Sequence, residues 1–146
     1  LVHRILEWIA FESPEQAAGM AEALAPAYGL DSAAAARAAA DVRRVLAMPL
    51  LERARQAPRA WRELQLWFPD EGELVEGQVD LVFEDEGQLV VVDYKTDQLA
   101  EADLVAQAAH HAPQLQLYGR GLAQASGQRV RERLVVFTAL GRAVPV

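Results

Sequence analysis

Gln88-Leu89-Val90-Val91-Val92-Asp93-Tyr94-Lys95-Thr96 decides how this chain is read, because an apolar run ends there on an aspartate and a lysine. A short valine-rich run behind Gly87 predicts a buried strand. Lys95 is the only lysine, and the other thirteen basic residues are arginine. Lysine's compact ammonium and arginine's planar fork are not interchangeable where a hydrated point charge or a movable proton is needed. Lys95 is therefore the first candidate for chemistry. The plain alternative is a lone lysine snorkelling from a strand end, and its neighbours must decide.

Upstream, residues 74–84 read as a second strand, joined to the first by a four-residue loop, Asp85-Glu86-Gly87-Gln88. An antiparallel hairpin with that loop sets Glu84 opposite Leu89, Val82 opposite Val91 and Asp80 opposite Asp93. Side chains two apart share a face. Asp80, Asp93 and Lys95 then lie on one side, with Val79, Leu81, Val90 and Val92 on the other. Directly opposed carboxylates repel, and a divalent cation between them would compensate. Two solvated strand-end aspartates are the alternative, and a slip of one residue would put Asp80 on the opposite face.

The remaining chain supplies helices around these strands. Residues 1–11 carry a helical apolar stripe through Val2, Ile5, Leu6 and Ile9. A second helix is expected over 15–28 and stopped by Gly29. A third follows from an Asp31 or Ser32 cap to about residue 47, and a short one spans 50–56. Residues 61–68 alternate as a strand, and Pro69-Asp70-Glu71-Gly72 reads as a turn. Helices over 99–109 and 113–125 and a last strand over 131–139 complete the chain. This order predicts an α/β domain with a mixed central sheet of about four to five strands, flanked by helices and preceded by a helical segment.

Composition narrows the function classes. With no cysteine among 146 residues, disulfides, zinc ribbons and cysteine-ligated iron–sulfur clusters are excluded. No apolar run approaches the roughly 18 residues of a membrane span, and the N-terminus lacks a signal-peptide pattern. A soluble, intracellular protein without a membrane partner is the expectation. The chain starts without methionine inside a helix, so it reads as one domain, 1–146, excised from a longer polypeptide. Its net charge of −7 argues mildly against nucleic acid, whose binding rests on phosphate neutralisation, although a carboxylate metal site would also make a nuclease acidic. The groups Arg53, Arg55, Arg59, Arg62 and Arg129, Arg131, Arg133 read first as solvated faces.

Three segments together resemble a family: Gly77-Gln78-Val79-Asp80, Val91-Val92-Asp93-Tyr94-Lys95-Thr96 and Gln114-Leu115-Gln116-Leu117-Tyr118. They are similar to the core motifs of RecB-type nucleases of the PD-(D/E)XK superfamily, with its restriction-endonuclease-like fold. Leu1-Val2-His3-Arg4-Ile5-Leu6-Glu7 resembles that family's N-terminal histidine motif, without the glycine that usually precedes it. Arg62-Glu63-Leu64 resembles a less specific acidic motif. Within the family the pattern looks most like the C-terminal nuclease domain of AddA- or RecB-type helicase-nucleases.

The resemblance implies a metal-dependent deoxyribonuclease. His3, Asp80, Asp93 and the backbone carbonyl of Tyr94 would hold Mg²⁺, with Mn²⁺ as a substitute, and no iron–sulfur cluster. Asp80, Asp93 and Lys95 would be the catalytic group, with Lys95 beside the attacked phosphate. Gln114 and Tyr118, four apart on a helix, would support the site or touch DNA, and Glu63 is a weaker candidate. His110 and His111 read as surface residues ahead of that helix. The implied partners are single-stranded DNA, an attached helicase motor and a second helicase-nuclease subunit, in DNA end processing and recombinational repair on cytoplasmic, nucleoid-associated DNA. A catalytically silent module that binds DNA or a partner chain is the competing class.

Overall fold

A computed structural model describes all of residues 1–146. Its five helices are α1 (Val2–Trp8), α2 (Ala17–Leu24), α3 (Ser32–Leu46), α4 (Pro49–Gln56) and α5 (Leu104–Ser126). Its five strands are β1 (Ala60–Asp70), β2 (Glu73–Asp85), β3 (Gln88–Lys95), β4 (Val130–Phe137) and β5 (Arg142–Pro145). They form one sheet in the order β1-β2-β3-β4-β5. Only β3 and β4 run parallel; the other neighbours are antiparallel. A parallel pair needs a long crossover, and α5 supplies it. The expected mixed α/β sandwich is the fold observed.

Two layers of side chains cover the sheet. On one face α1 to α4 bury Ile5, Leu6, Val42, Val45 and Leu51 against Leu81, Phe83, Val90, Val92 and Val136. On the other, α5 sets Tyr118 and Leu122 on Leu66, Phe68, Val82, Leu89 and Val91. It also sets Leu104, Ala108 and Leu115 on Val135 and Phe137. Emptying a fully buried position such as Leu115 would cost about 2–5 kcal/mol.

Several local expectations are corrected. The β2–β3 loop has two residues rather than four: Glu86 (φ 51) and Gly87 (φ 77) form the turn, and Asp85 pairs with Gln88. Positive φ at both central positions matches the right-handed twist of a tight hairpin. The same device joins β1 to β2 through Glu71 (φ 51) and Gly72 (φ 87). The second helix is broken into 3₁₀ turns at both ends, Pro14–Gln16 and Ala25–Tyr28, with Gly29 at φ 65 closing it. Residues 99–109 and 113–125 are not separate helices; α5 runs through Pro113. Pro113 removes the donor to the Ala109 carbonyl, but Ala108 and Leu115, packed on Val135 and Phe137 to either side of it, hold the helix in line. The last expected strand stops at Phe137, and β5 follows it.

Of the arginines expected on solvated faces, Arg55, Arg59, Arg129 and Arg131 are exposed, while Arg53, Arg62 and Arg133 are half-buried. Eight of the thirteen arginines pair with carboxylates: Arg4, Arg44, Arg53, Arg55, Arg59, Arg120, Arg131 and Arg142. Arg53 bridges Asp85 on β2 and Glu132 on β4, tying α4 to two strands. Arg62 donates to the carbonyls of Leu6 (3.2 Å), Glu7 (3.1 Å) and Ile9, which α1 leaves free at its C-terminus. That contact fixes α1 against β1 and so decides where His3 can reach. Arg133 lies under α5, its guanidinium filling the space where a Gly119 side chain would begin.

Candidate active site

The hairpin register expected from sequence holds as far as Leu81–Val92 and stops one pair short of Asp80–Asp93. Instead of facing Asp93, the Asp80 carboxylate accepts the backbone N–H of Tyr94 at 2.5 Å. The cause lies one strand away. Glu63, beside Asp80 in the β1–β2 register, takes a left-handed φ of 49 and breaks the ladder between Arg62–Leu81 and Leu64–Val79. Such a conformation costs an L-residue about 1–2 kcal/mol and persists only where surrounding contacts impose it.

The strands change faces across this break. Trp61 and Leu64 pack on the α5 side, as do Val79 and Val82, although each pair is three residues apart. Val79 therefore does not share a face with Leu81, Val90 and Val92, contrary to strict alternation. Asp80, at the switch, reaches sideways into the gap where the β2–β3 ladder ends.

Side chains from both layers meet there. From α1, His3 Nε2 lies 2.9 Å from the Tyr94 carbonyl and 3.5 Å from Asp80 Oδ2. The hydrogen bond to Asp80 is the main reason the His3 imidazole is raised above its usual pKa. Lys95 Nζ lies 2.8 Å from Asp93 Oδ2, with the two side chains 23% and 11% exposed. Burial chiefly raises the Asp93 carboxyl, and Asp80 adds to it against the opposing effect of Lys95. The Lys95 contact is at ion-pair distance without hydrogen-bond alignment, so Asp93 Oδ2 is buried with no aligned donor. Glu63 is also raised, first by desolvation and then by Asp80, and it accepts from Gln78 Nε2 at 2.5 Å.

On the α5 side, Gln114 Nε2 donates to the Tyr118 hydroxyl at 3.0 Å. The Tyr118 ring fills the space above Gly77, where an added Cβ would overlap it. Gln114 and Tyr118 thus support β2 just outside Gln78 rather than joining the carboxylates. His111 is the residue that sequence reasoning missed. It is not ahead of the helix but within α5, close enough for Lys95 and Asp93 to influence its ionisation, which burial lowers. The signal was the spacing His111-Gln114-Leu115-Tyr118, one helical face, hidden by the assumption that Pro113 began a new helix.

No three His, Asp or Glu side chains gather at ligating range as they stand. The donor chemistry nevertheless fits a hard divalent ion. His3 Nε2 is hydrogen-bonded to the Tyr94 carbonyl at 2.9 Å and lies 3.5 Å from Asp80 Oδ2, so an imidazole nitrogen and two oxygens, donors that suit Mg²⁺ or Mn²⁺, stand together. Asp93 Oδ2, buried beside the Lys95 ammonium, adds a carboxylate oxygen, the ligand type a hard divalent ion takes.

A sheet of this topology, with an acidic residue on each of two hairpin strands and a lysine two residues beyond the second, is consistent with the restriction-endonuclease-like fold. Comparison with known families agrees: the model of the PD-(D/E)XK nuclease superfamily matches residues 1–143. The chain belongs to that superfamily as a RecB-like nuclease domain. Among curated proteins it is similar to several ATP-dependent helicase/nuclease subunits of the A type. The Desulforudis audaxviator protein is 36% identical over 75 residues, 51% of this chain and 6% of its own length. That of Clostridium kluyveri is 33% identical over 66 residues (45% and 5%), and that of Ruminiclostridium cellulolyticum 30% over 89 residues (58% and 7%). The aligned segments thus cover only a small fraction of those proteins. A crystal structure of a Vibrio cholerae protein aligns with 74% of this chain and 27% of its own at 12% identity and a TM-score of 0.39, too loose a likeness to argue from. No helix is long and apolar enough to cross a membrane.

Proposed function

We propose that residues 1–146 form a single nuclease domain that hydrolyses phosphodiester bonds of single-stranded DNA with Mg²⁺, or Mn²⁺ in its place. The observation that carries this reading is the meeting of His3, Asp80, the Tyr94 carbonyl, Asp93 and Lys95 where the β2–β3 ladder ends. His3, Asp80, Asp93 and the Tyr94 carbonyl would hold the ion. When bound, it would polarise a phosphoryl oxygen and make water more acidic.

The chain's own groups supply the rest. Lys95 Nζ, held by Asp93, faces the phosphate and offsets negative charge as water adds to phosphorus. One P–O ester bond breaks, leaving a phosphate end and a hydroxyl end. As an ammonium, Nζ can also donate a hydrogen bond that orients the attacking water, a compact point contact that an arginine fork would not reproduce. Gln114 and Tyr118 keep β2 in place above the site.

The similar proteins are named helicase/nuclease subunits, which supports an attached helicase motor as the source of the strand. The reading extends to a second helicase-nuclease subunit and to DNA end processing for recombinational repair. The motor's Gly-x(4)-Gly-Lys-Ser/Thr loop is absent from these 146 residues. The test is cleavage of end-labelled single-stranded DNA in Mg²⁺ or Mn²⁺ by the wild type, Asp93→Ala and Lys95→Ala. Cleavage by the wild type alone supports the assignment, and equal cleavage by all three removes it. Binding without cleavage by any of them favours a silent DNA-binding module.

A further inference from the structure

We propose that the cleft between α3 and the loops following β3 and β4 binds a second backbone phosphate of the strand being cut, within a few nucleotides of the scissile one. This rests on the nuclease reading above and adds a contact that positions the strand. The cleft, about 370 Å³, is lined by Arg37, Asp41 and Arg44 from α3, by Gln98 and Leu99 after β3, and by Leu140 after β4.

Eight arginines are paired with carboxylates, whereas Arg37, like Arg43 and Arg129, is exposed and belongs to none of those pairs; of these three, Arg37 alone lines this cleft. Arg37, Asp41 and Arg44 stand four and three residues apart, on one face of the helix. Asp41, the acid among them, is engaged at 2.7 Å by Arg44. The cleft therefore presents the Arg37 guanidinium as an uncommitted cation beside the Gln98 amide. A guanidinium fork matches two phosphate oxygens.

The cleft is also built onto the catalytic strand. Arg44 Nη1 donates to the Thr138 carbonyl at 3.2 Å, and the Thr138 N–H donates to the Lys95 carbonyl at 2.9 Å. Gln98 is three residues beyond Lys95, so their Cα atoms are at most about 11 Å apart. A strand engaged at Lys95 therefore has this rim of the cleft within a few nucleotides' reach.

The experiment is steady-state cleavage of fluorescein-labelled oligo(dT) by wild type, Arg37→Ala and Arg37→Lys across a salt series. It is paired with equilibrium binding of the same oligonucleotide in an Asp93→Ala background. Arg37→Ala should raise KM and Kd about three- to tenfold, leave kcat within twofold, and flatten the log–log salt slope by about 0.7, the value for one lost single-strand phosphate contact. Arg37→Lys should restore most of the loss and the slope. Unchanged KM, Kd and slope in Arg37→Ala would overturn the cleft assignment while leaving the nuclease reading intact. If the wild type fails to cut, that reading falls, and the binding measurement still decides the cleft.

Discussion

Replacing Gly77 with alanine tests how the α5 layer supports the site. Gly77 has no positive φ, so alanine fits its backbone and the effect is steric. The new Cβ would lie 2.9 Å from Tyr118 Cζ and 3.1 Å from Oη, and closer still to Cε1. Comfortable carbon contacts begin near 3.5 Å, so the ring must retreat by roughly 1 Å. It has little room, being packed among Leu66, Phe68, Val79 and Leu122. Overfilling a packed site in this way costs about 1–3 kcal/mol. At about 2–4 °C per kcal/mol for a domain of this size, thermal unfolding by circular dichroism should begin about 2–12 °C lower. Moving the hydroxyl also breaks its 3.0 Å bond from Gln114, so cleavage should fall although no carboxylate has changed. Adding Tyr118→Leu should relieve the clash, giving a double mutant at least about 1 kcal/mol more stable than additivity allows. A Gly77→Ala protein within about 0.5 kcal/mol of wild type, or strictly additive penalties, would refute this packing argument.

Lys95→Arg should keep the fold and the charge but lower cleavage by about 10²-fold, the cost of a misplaced reacting group; retained cleavage would reduce the role of Lys95 to electrostatics. Glu63→Gly should relieve the left-handed strain and raise stability by up to about 1 kcal/mol, and a loss in urea unfolding would mean that the Gln78 contact matters more. Mg²⁺ at about 100 times its Kd should stabilise the wild type by about 2.7 kcal/mol, whereas an equal gain in Asp80→Ala and Asp93→Ala would place the ion elsewhere. Arg53 holds the Asp85 carboxyl below its usual range, and Arg59 does the same for Glu84. Their contribution is therefore present above their unfolded pKa values, near 4, and lost as pH falls through the lower folded ones. Arg53→Gln with Arg59→Gln should flatten the acid side of the stability–pH curve, and an unchanged slope would count against these pairs.

The sheet and its register were legible because local chemistry dictates them. Glu86-Gly87 permits a tight turn, and the valines of β3 leave no doubt about burial, so Val82–Val91 and Glu84–Leu89 pair as read. The orientation of Asp80 was not legible. It depends on the φ of Glu63, a residue on another strand with no intrinsic preference for left-handed backbone. Pro113 misled for the opposite reason: a strong local breaker was overridden by the packing of Ala108 and Leu115. β5 escaped because Arg142-Ala143-Val144-Pro145 is short and ends on proline, which only an edge strand tolerates. Among the site candidates, residue types and motif spacing pointed to His3, Asp80, Asp93 and Lys95. Only the three-dimensional arrangement separates Gln114 and Tyr118 as supports and brings His111 near Lys95.

The contact between His3 and Tyr94 spans 91 positions of sequence, and Tyr118 reaches β2 from the far side of the sheet. A chain that has formed only its central hairpin would hold Asp80, Asp93 and Lys95 but neither the imidazole nor the support behind Gly77. On the proposed reading, cutting competence therefore requires α1 and the long crossover helix α5 both to have docked. A partly folded chain would then hold the carboxylates and the lysine without a complete site around them.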